Sequence, residues 1–168
     1  MVCFGSRLLK GENAMEILAL LEKLTQHHGV AGDEKPIADL LEEEIRDLGP
    51  VHRTPLGSLI CTVKQESPDK PHVVLEAHMD EIGLMVCAID KDGFLKVTRC
   101  GGIDRRVATA SPVIIHGTKG PRRGIVASEE QDPAKNPTVD QLYVDAGMSR
   151  EQAEEEFPIG TRISYMGS

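Results

Sequence analysis

Between Met15 and Leu24 the apolar residues Ile17, Leu18, Leu20, Leu21 and Leu24 recur at the spacing of one helical face, which predicts an amphipathic helix. Gly29 and Gly32 end it. Asp33 is placed as the N-cap of a second helix, and Pro36 is tolerated in its first turn, where amides lack intrahelical partners anyway. Ile37, Leu40, Leu41, Ile45 and Leu48 form the stripe this helix should bury, with Glu42, Glu43 and Glu44 on its solvated face. Gly49-Pro50 stops it. Beyond residue 50 the period falls to two. Val51–Thr54 and Leu59–Lys64 are predicted strands joined by a turn at Pro55–Ser58, and Gln65–Pro71 is a polar loop. Val73-Val74-Leu75-Glu76-Ala77 is almost continuously apolar, the pattern of a central strand buried on both faces.

From Gly83 onward no further long helix is predicted. Leu84–Ile89, Phe94–Arg99, Val113–His116, Gly124–Ser128, Leu142–Asp145 and Arg162–Tyr165 are short strands, separated by turns at Asp90–Gly93, Gly101-Gly102, Gly117–Pro121 and Asp132–Pro137. Ser149-Arg150-Glu151-Gln152 is a capping box that opens one short helix. Strands at this spacing predict a small β-barrel or sandwich. The fold class is therefore α/β: two helices on a sheet, then a β-rich unit. The first part alone is thin for an independent core. It has the shape of a domain that begins, is interrupted by an insert, and resumes afterwards.

The length of 168 residues fits one domain, or one domain with part of another. Lys plus Arg number 19 and Asp plus Glu 27, a net charge of −8, and aromatic residues are only 3%. An acidic chain with so few stacking rings is disfavoured as a nucleic-acid binder. No apolar run has the length of a membrane span, and Met1–Ala14 lacks the apolar stretch of a secretory signal. Cys3, Cys61, Cys87 and Cys100 show no C-x-x-C spacing. Cys61 and Cys87 stand in apolar runs and are expected as buried free thiols of a cytoplasmic protein.

The chemically informative stretch is Glu76-Ala77-His78-Met79-Asp80-Glu81, at the C-terminal end of the apolar run, where open α/β sheets bind ligands. In an extended segment residues 78 and 80 project to one side. His78 can then offer a ring nitrogen to a metal while the Asp80 carboxylate fixes its tautomer, with Met79 packed inward. The alternative is a histidine at a strand end that merely bonds a neighbour. A metal site needs three or four protein ligands, and this segment supplies one. His27 and His28 are adjacent on a helix end and do not share a face. His52 and His72 are expected in solvent, and His116 ends a strand without a partner pattern. Gly101–Arg106 has a Gly-Gly pair but does not lead into a predicted helix, as phosphate loops do. Ser58 lies in a turn rather than a nucleophile elbow, and Cys100 has no histidine placed to activate it.

An ordered set of motifs carries a resemblance. It comprises Gly29-Val30-Ala31-Gly32-Asp33-Glu34, Leu56-Gly57-Ser58-Leu59-Ile60, Glu76-Ala77-His78-Met79-Asp80-Glu81-Ile82-Gly83-Leu84-Met85-Val86, Gly101-Gly102-Ile103-Asp104-Arg105-Arg106-Val107, Asp145-Ala146-Gly147-Met148-Ser149-Arg150-Glu151 and Ile159-Gly160. From Met15 onward the chain resembles the N-terminal part of the glutamyl-aminopeptidase/cellulase-M-type metallopeptidases, the tetrahedral aminopeptidases. The resemblance implies an exopeptidase that removes N-terminal residues from peptides with two divalent metal ions, zinc or cobalt. His78 matches the family's first metal ligand and Asp80 the carboxylate that supports it. Residues 1–14 have no periodicity and are expected to be an unstructured extension outside the fold; the implied organisation of the rest is a first catalytic-domain segment at 15–82, an inserted β-barrel-like dimerisation domain at 83–164, and the return to the catalytic domain at 165–168. In the family that insert builds dimers and larger hollow homo-oligomers.

The family's bridging aspartate, general-base glutamate, remaining ligands and second histidine follow the insert. The expectation is therefore an N-terminal fragment of the enzyme, inactive by itself, with at most one weak metal site. The alternative is a truncated, catalytically inactive paralogue that serves as an assembly module. A third reading, an unrelated β-barrel binding module with a structural H-x-D, leaves the ordered motifs unexplained. Lys10-Gly11-Glu12 codons can spell a ribosome-binding sequence, so translation is expected to start at Met15.

Overall fold

The computed structural model describes residues 12–64, 69, 71–132 and 134–166, with side chains from Ile17 onward. Cys3 and most of the Gln65–Pro71 loop lie outside the described residues. Helix α1 spans Glu12–Thr25, so Glu12–Ala14 are helical rather than part of an unstructured extension, and α2 spans Lys35–Ile45 with a 3-10 turn at Arg46–Leu48. Of the predicted α2 stripe, Ile37 and Leu40 are buried, together with Ala38, while Leu48 is exposed. The N-cap is Glu34 in helical geometry with no side-chain cap bond, not Asp33. Asp33 instead turns toward His28, its Oδ2 at 3.6 Å from the ring Nε2.

Strands β1 (Val51–Arg53) and β2 (Leu59–Cys61) pair antiparallel as an isolated ribbon. Arg53 ties this ribbon to α2 through Asp39 and Glu42. The predicted central strand does not form. Residues 71–80 pair with no strand, and Val73, Val74 and Leu75 are 70%, 83% and 70% exposed. A strand buried on both faces needs neighbours at its edges and layers above and below, and among the described residues none is supplied.

The period-two region closes on itself. Strands β3 (Gly83–Ile89), β4 (Leu95–Cys100), β5 (Pro112–Gly117), β6 (Gly120–Ser128), β7 (Leu142–Asp145) and β8 (Arg162–Tyr165) form an antiparallel barrel in the order β3-β4-β7-β6-β5-β8. Closure satisfies the edge groups that a short open sheet would leave to solvent. Alternate residues point inward: Leu84, Val86, Leu95, Val97, Val113, Ile115, Val126, Leu142, Val144 and Ile163 are all at most 3% exposed. Helix α4 (Arg150–Glu156) plugs the barrel with Ala153 and the following Phe157, and Ser149 caps it reciprocally with Gln152. Glu156 is buried there and is met by the Arg122 guanidinium of β6 at 2.6 Å.

Two details depart from expectation. Cys87 faces solvent instead of the core, because it alternates with the inward Leu84 and Val86, and a bulge between Val86 and Ala88 leaves Ala88 outward as well; Cys61 and Cys100 are half-buried. Gly101-Gly102 does lead into a helix, the single turn α3 at Arg105–Ala108. Its N-terminal amides are served by the Asp104 carboxylate, which accepts from the Arg106 backbone N–H. The Arg106 guanidinium beside it holds Asp104 down at about 2.

Candidate functional site

Chain geometry places His78 at the end of the unpaired 71–80 segment, where its side chain is 85% exposed. Its Nδ1 lies 3.0 Å from the Asp80 carbonyl oxygen and 3.1 Å from Asp80 Oδ1. Both acceptors select the tautomer protonated at Nδ1 and leave the Nε2 lone pair without a hydrogen-bond partner among the described residues. That is the donor set of a metal-binding imidazole with a carboxylate behind it. Met79 is half-buried, and Glu76 is exposed like the pair itself but makes no hydrogen bond to either member. Among the described residues no three His, Cys, Asp or Glu side chains converge as a metal-ligand cluster. The residues present thus fit one ligand of a metal centre, not a whole one.

The segment is fixed at one point. The Glu81 backbone N–H donates to the Gly29 carbonyl at 2.8 Å, and Glu81 Oε1 accepts from the Gly29 N–H at 3.0 Å. Val30 and Glu81 form a lone parallel bridge. Val30 is fully buried, and it reaches the barrel because Gly83 has no side chain: a Cβ there would stand 2.7 Å from Val30 and 2.6 Å from the Ile163 carbonyl. From β8, Arg162 Nε donates to the Ala31 carbonyl at 3.0 Å. The Gly29–Asp33 loop is therefore the seam between the helical segment and the barrel.

A second contact of this seam was hidden in the sequence. His28 stacks on His116 of β5, ring centroids 3.6 Å apart, and His116 Nε2 lies 2.8 Å from Ser164 Oγ. Burial first, and then the His28 ring, push His116 down to about 4, against a smaller upward pull from Asp33. His27 faces the other way and bonds the Lys23 carbonyl, so the two adjacent histidines do part company. His52 and His72 are exposed. No local signal joins residues 28 and 116. Only the barrel register brings them together.

The comparisons with known proteins fit this architecture. Residues 57–168 match the M42 glutamyl aminopeptidase family. Lysyl aminopeptidase of Pyrococcus furiosus is 37% identical over 158 residues, which is 88% of this chain and 44% of that protein. The structure of an aminopeptidase from the archaeon Desulfurococcus kamchatkensis superposes with a TM-score of 0.81 at 28% identity, covering 90% of this chain and 43% of the other. That of the Pyrococcus horikoshii TET1 peptidase, described as assembling into a tetrahedron or a large octahedral shell, gives 0.79 at 26% identity, with 89% and 46% covered. The fold and the matched motifs define a peptidase-type α/β unit with a barrel. The chain belongs to the M42 glutamyl aminopeptidase family. It spans less than half the length of each of these three relatives.

Proposed function

We propose that this chain supplies the first metal ligand and the barrel of a metal-dependent aminopeptidase that releases N-terminal residues from peptides. The observation that carries the reading is the His78–Asp80 pair, with Nδ1 engaged and Nε2 free, inside the matched family region. His78 would bind through Nε2, and Asp80 would hold the ring and raise its basicity. Two bound divalent ions, zinc or cobalt, would lower the pKa of a shared water and polarise the scissile carbonyl. The remaining ligands and the general base are assigned to polypeptide outside this chain. We place the catalytic segment at residues 15–82, the inserted dimerisation domain at 83–164 and the return at 165–168, in a cytoplasmic protein that self-associates into dimers and larger particles.

One observation favours a second reading. The barrel core is complete while the site has one ligand, which suits an assembly module without catalysis. Two measurements test the pair of readings. Cobalt binding, followed spectroscopically, is expected to be weak in the chain and lost in His78→Ala. Hydrolysis of an aminoacyl-anilide panel is expected to be absent for the chain alone. Chelator-sensitive activity of the chain, or cobalt binding indifferent to His78→Ala, would overturn the assignment of the site.

A further inference from the structure

We propose that Glu81 is the positioning residue that presets His78 as an Nε2 donor, acting through Gly29. The inference rests on the reading of His78 as a metal ligand. Its starting point is that residues 71–80 pair with no strand, so nothing in regular structure aims the imidazole. Besides the Asp80 carboxylate at 3.1 Å, the aim comes from one peptide unit, the amide between Asp80 and Glu81. A trans peptide is planar and its C=O and N–H point in opposite directions. The Asp80 carbonyl accepts from the His78 ring at 3.0 Å. On the other side, the Glu81 N–H donates to the Gly29 carbonyl at 2.8 Å. Fixing the N–H on Gly29 therefore fixes the direction of the Asp80 carbonyl, one of the two acceptors that select the His78 tautomer.

That single amide bond is closed into a ring by the Glu81 side chain, which takes the Gly29 N–H at 3.0 Å. Gly29 is itself immobilised. Its Cα packs against Ile37 of α2, where an added Cβ would come within 2.6 Å of the Ile37 side chain, and its neighbour Val30 is buried against the barrel. The anchor thus couples the ring to two rigid elements, α2 and β3, as precise sites require. Reach, rather than charge, is what the carboxylate contributes: an acceptor oxygen one methylene farther from the backbone than aspartate could place it.

The two variants that separate reach from charge are Glu81→Asp, which keeps the charge and loses the reach, and Glu81→Gln, which keeps an acceptor at full reach without charge. The readout is the His78 tautomer in the metal-free chain, from long-range nitrogen–proton NMR at pH about 8, where an ordinary imidazole is neutral. The Nδ1–H form is expected to dominate in the unsubstituted chain and in Glu81→Gln, and its share to fall in Glu81→Asp, where the Asp80 carboxylate is the one acceptor still aimed at Nδ1. Cobalt affinity is expected to fall roughly 10-fold in Glu81→Asp and to hold in Glu81→Gln, at the lower end of what indirect ligand support is worth. An unchanged tautomer in Glu81→Asp overturns the proposal, and so does a change in Glu81→Gln. If either variant fails to fold, hydrogen exchange in the unsubstituted chain decides: a Gly29 amide exchanging as fast as an exposed loop amide overturns it, and a protected one supports it. A tautomer that responds as expected, with cobalt binding indifferent to His78→Ala, would keep the positioning role and sink the metal reading instead.

Discussion

Two apolar runs of similar composition meet opposite fates in this chain. Val113-Ile114-Ile115 lies in β5, hydrogen-bonded to β6 on one side and β8 on the other, and Val113 and Ile115 are fully buried. Val73-Val74-Leu75 has no partner among the described residues and all three side chains are mostly exposed. The difference is not one of propensity. Both runs are β-branched or aliphatic and both suit a strand. A strand is buried by what lies beside and above it, and the barrel brings its own neighbours while the first segment does not.

The largest effects should therefore be confined to the barrel. Phe157→Ala, at a fully buried position under the barrel, is expected to cost about 3–5 kcal/mol in urea unfolding. Leu75→Ala, 70% exposed, is expected to stay within about 0.5 kcal/mol. Comparable costs at the two positions would break the comparison, because Leu75 would then be packed.

The seam between the two regions should respond to acid. His116 is held near 4 in the folded chain, below the ordinary value of about 6.5 it would recover on unfolding. A lowered folded value means that the unfolded state binds the extra proton. The contribution is then fully present above about pH 6.5 and is lost as pH falls toward 4. The ring is half exposed, so solvent screening reduces the effect to about 1–2 kcal/mol. Urea midpoints at several pH values should show this slope, and His116→Gln should flatten it. A slope that persists in His116→Gln would assign it to other groups.

Helix caps sharpen the contrast at a smaller scale. Ser149→Ala removes a reciprocal cap and is expected to cost about 1 kcal/mol. Asp33→Ala, ahead of α2, removes no cap bond and should cost no more than a few tenths of that, roughly 0.3 kcal/mol. Equal losses would mean that Asp33 does cap α2 in solution. Smallest in stability but plain to read, Cys87 is expected to react with a thiol reagent in the native state faster than half-buried Cys61 or Cys100. Slower labelling of Cys87 would place it inside the barrel, against the alternation set by Leu84 and Val86.

Local pattern was enough for much of this molecule. The six barrel strands could be located from period-two runs punctuated by glycine and turn residues, and α4 from its capping box, because these signals are held within a few residues. The H-x-D spacing likewise sufficed to bring His78 and Asp80 into one candidate pair, since alternate residues of an extended segment share a side. The exposure of Val73–Leu75, the outward turn of Ala88 past the bulge and the tie from Glu81 to Gly29 were decided elsewhere. A run of apolar side chains states that burial is favourable but not whether a partner is present. A bulge depends on register with the opposite strand. Gly29 meets Glu81, and His28 meets His116, across the seam where Gly83 leaves room for Val30 against the barrel. Periodicity is a property of the chain, whereas a contact across 52 or 88 residues is a property of the packing that the whole chain reaches.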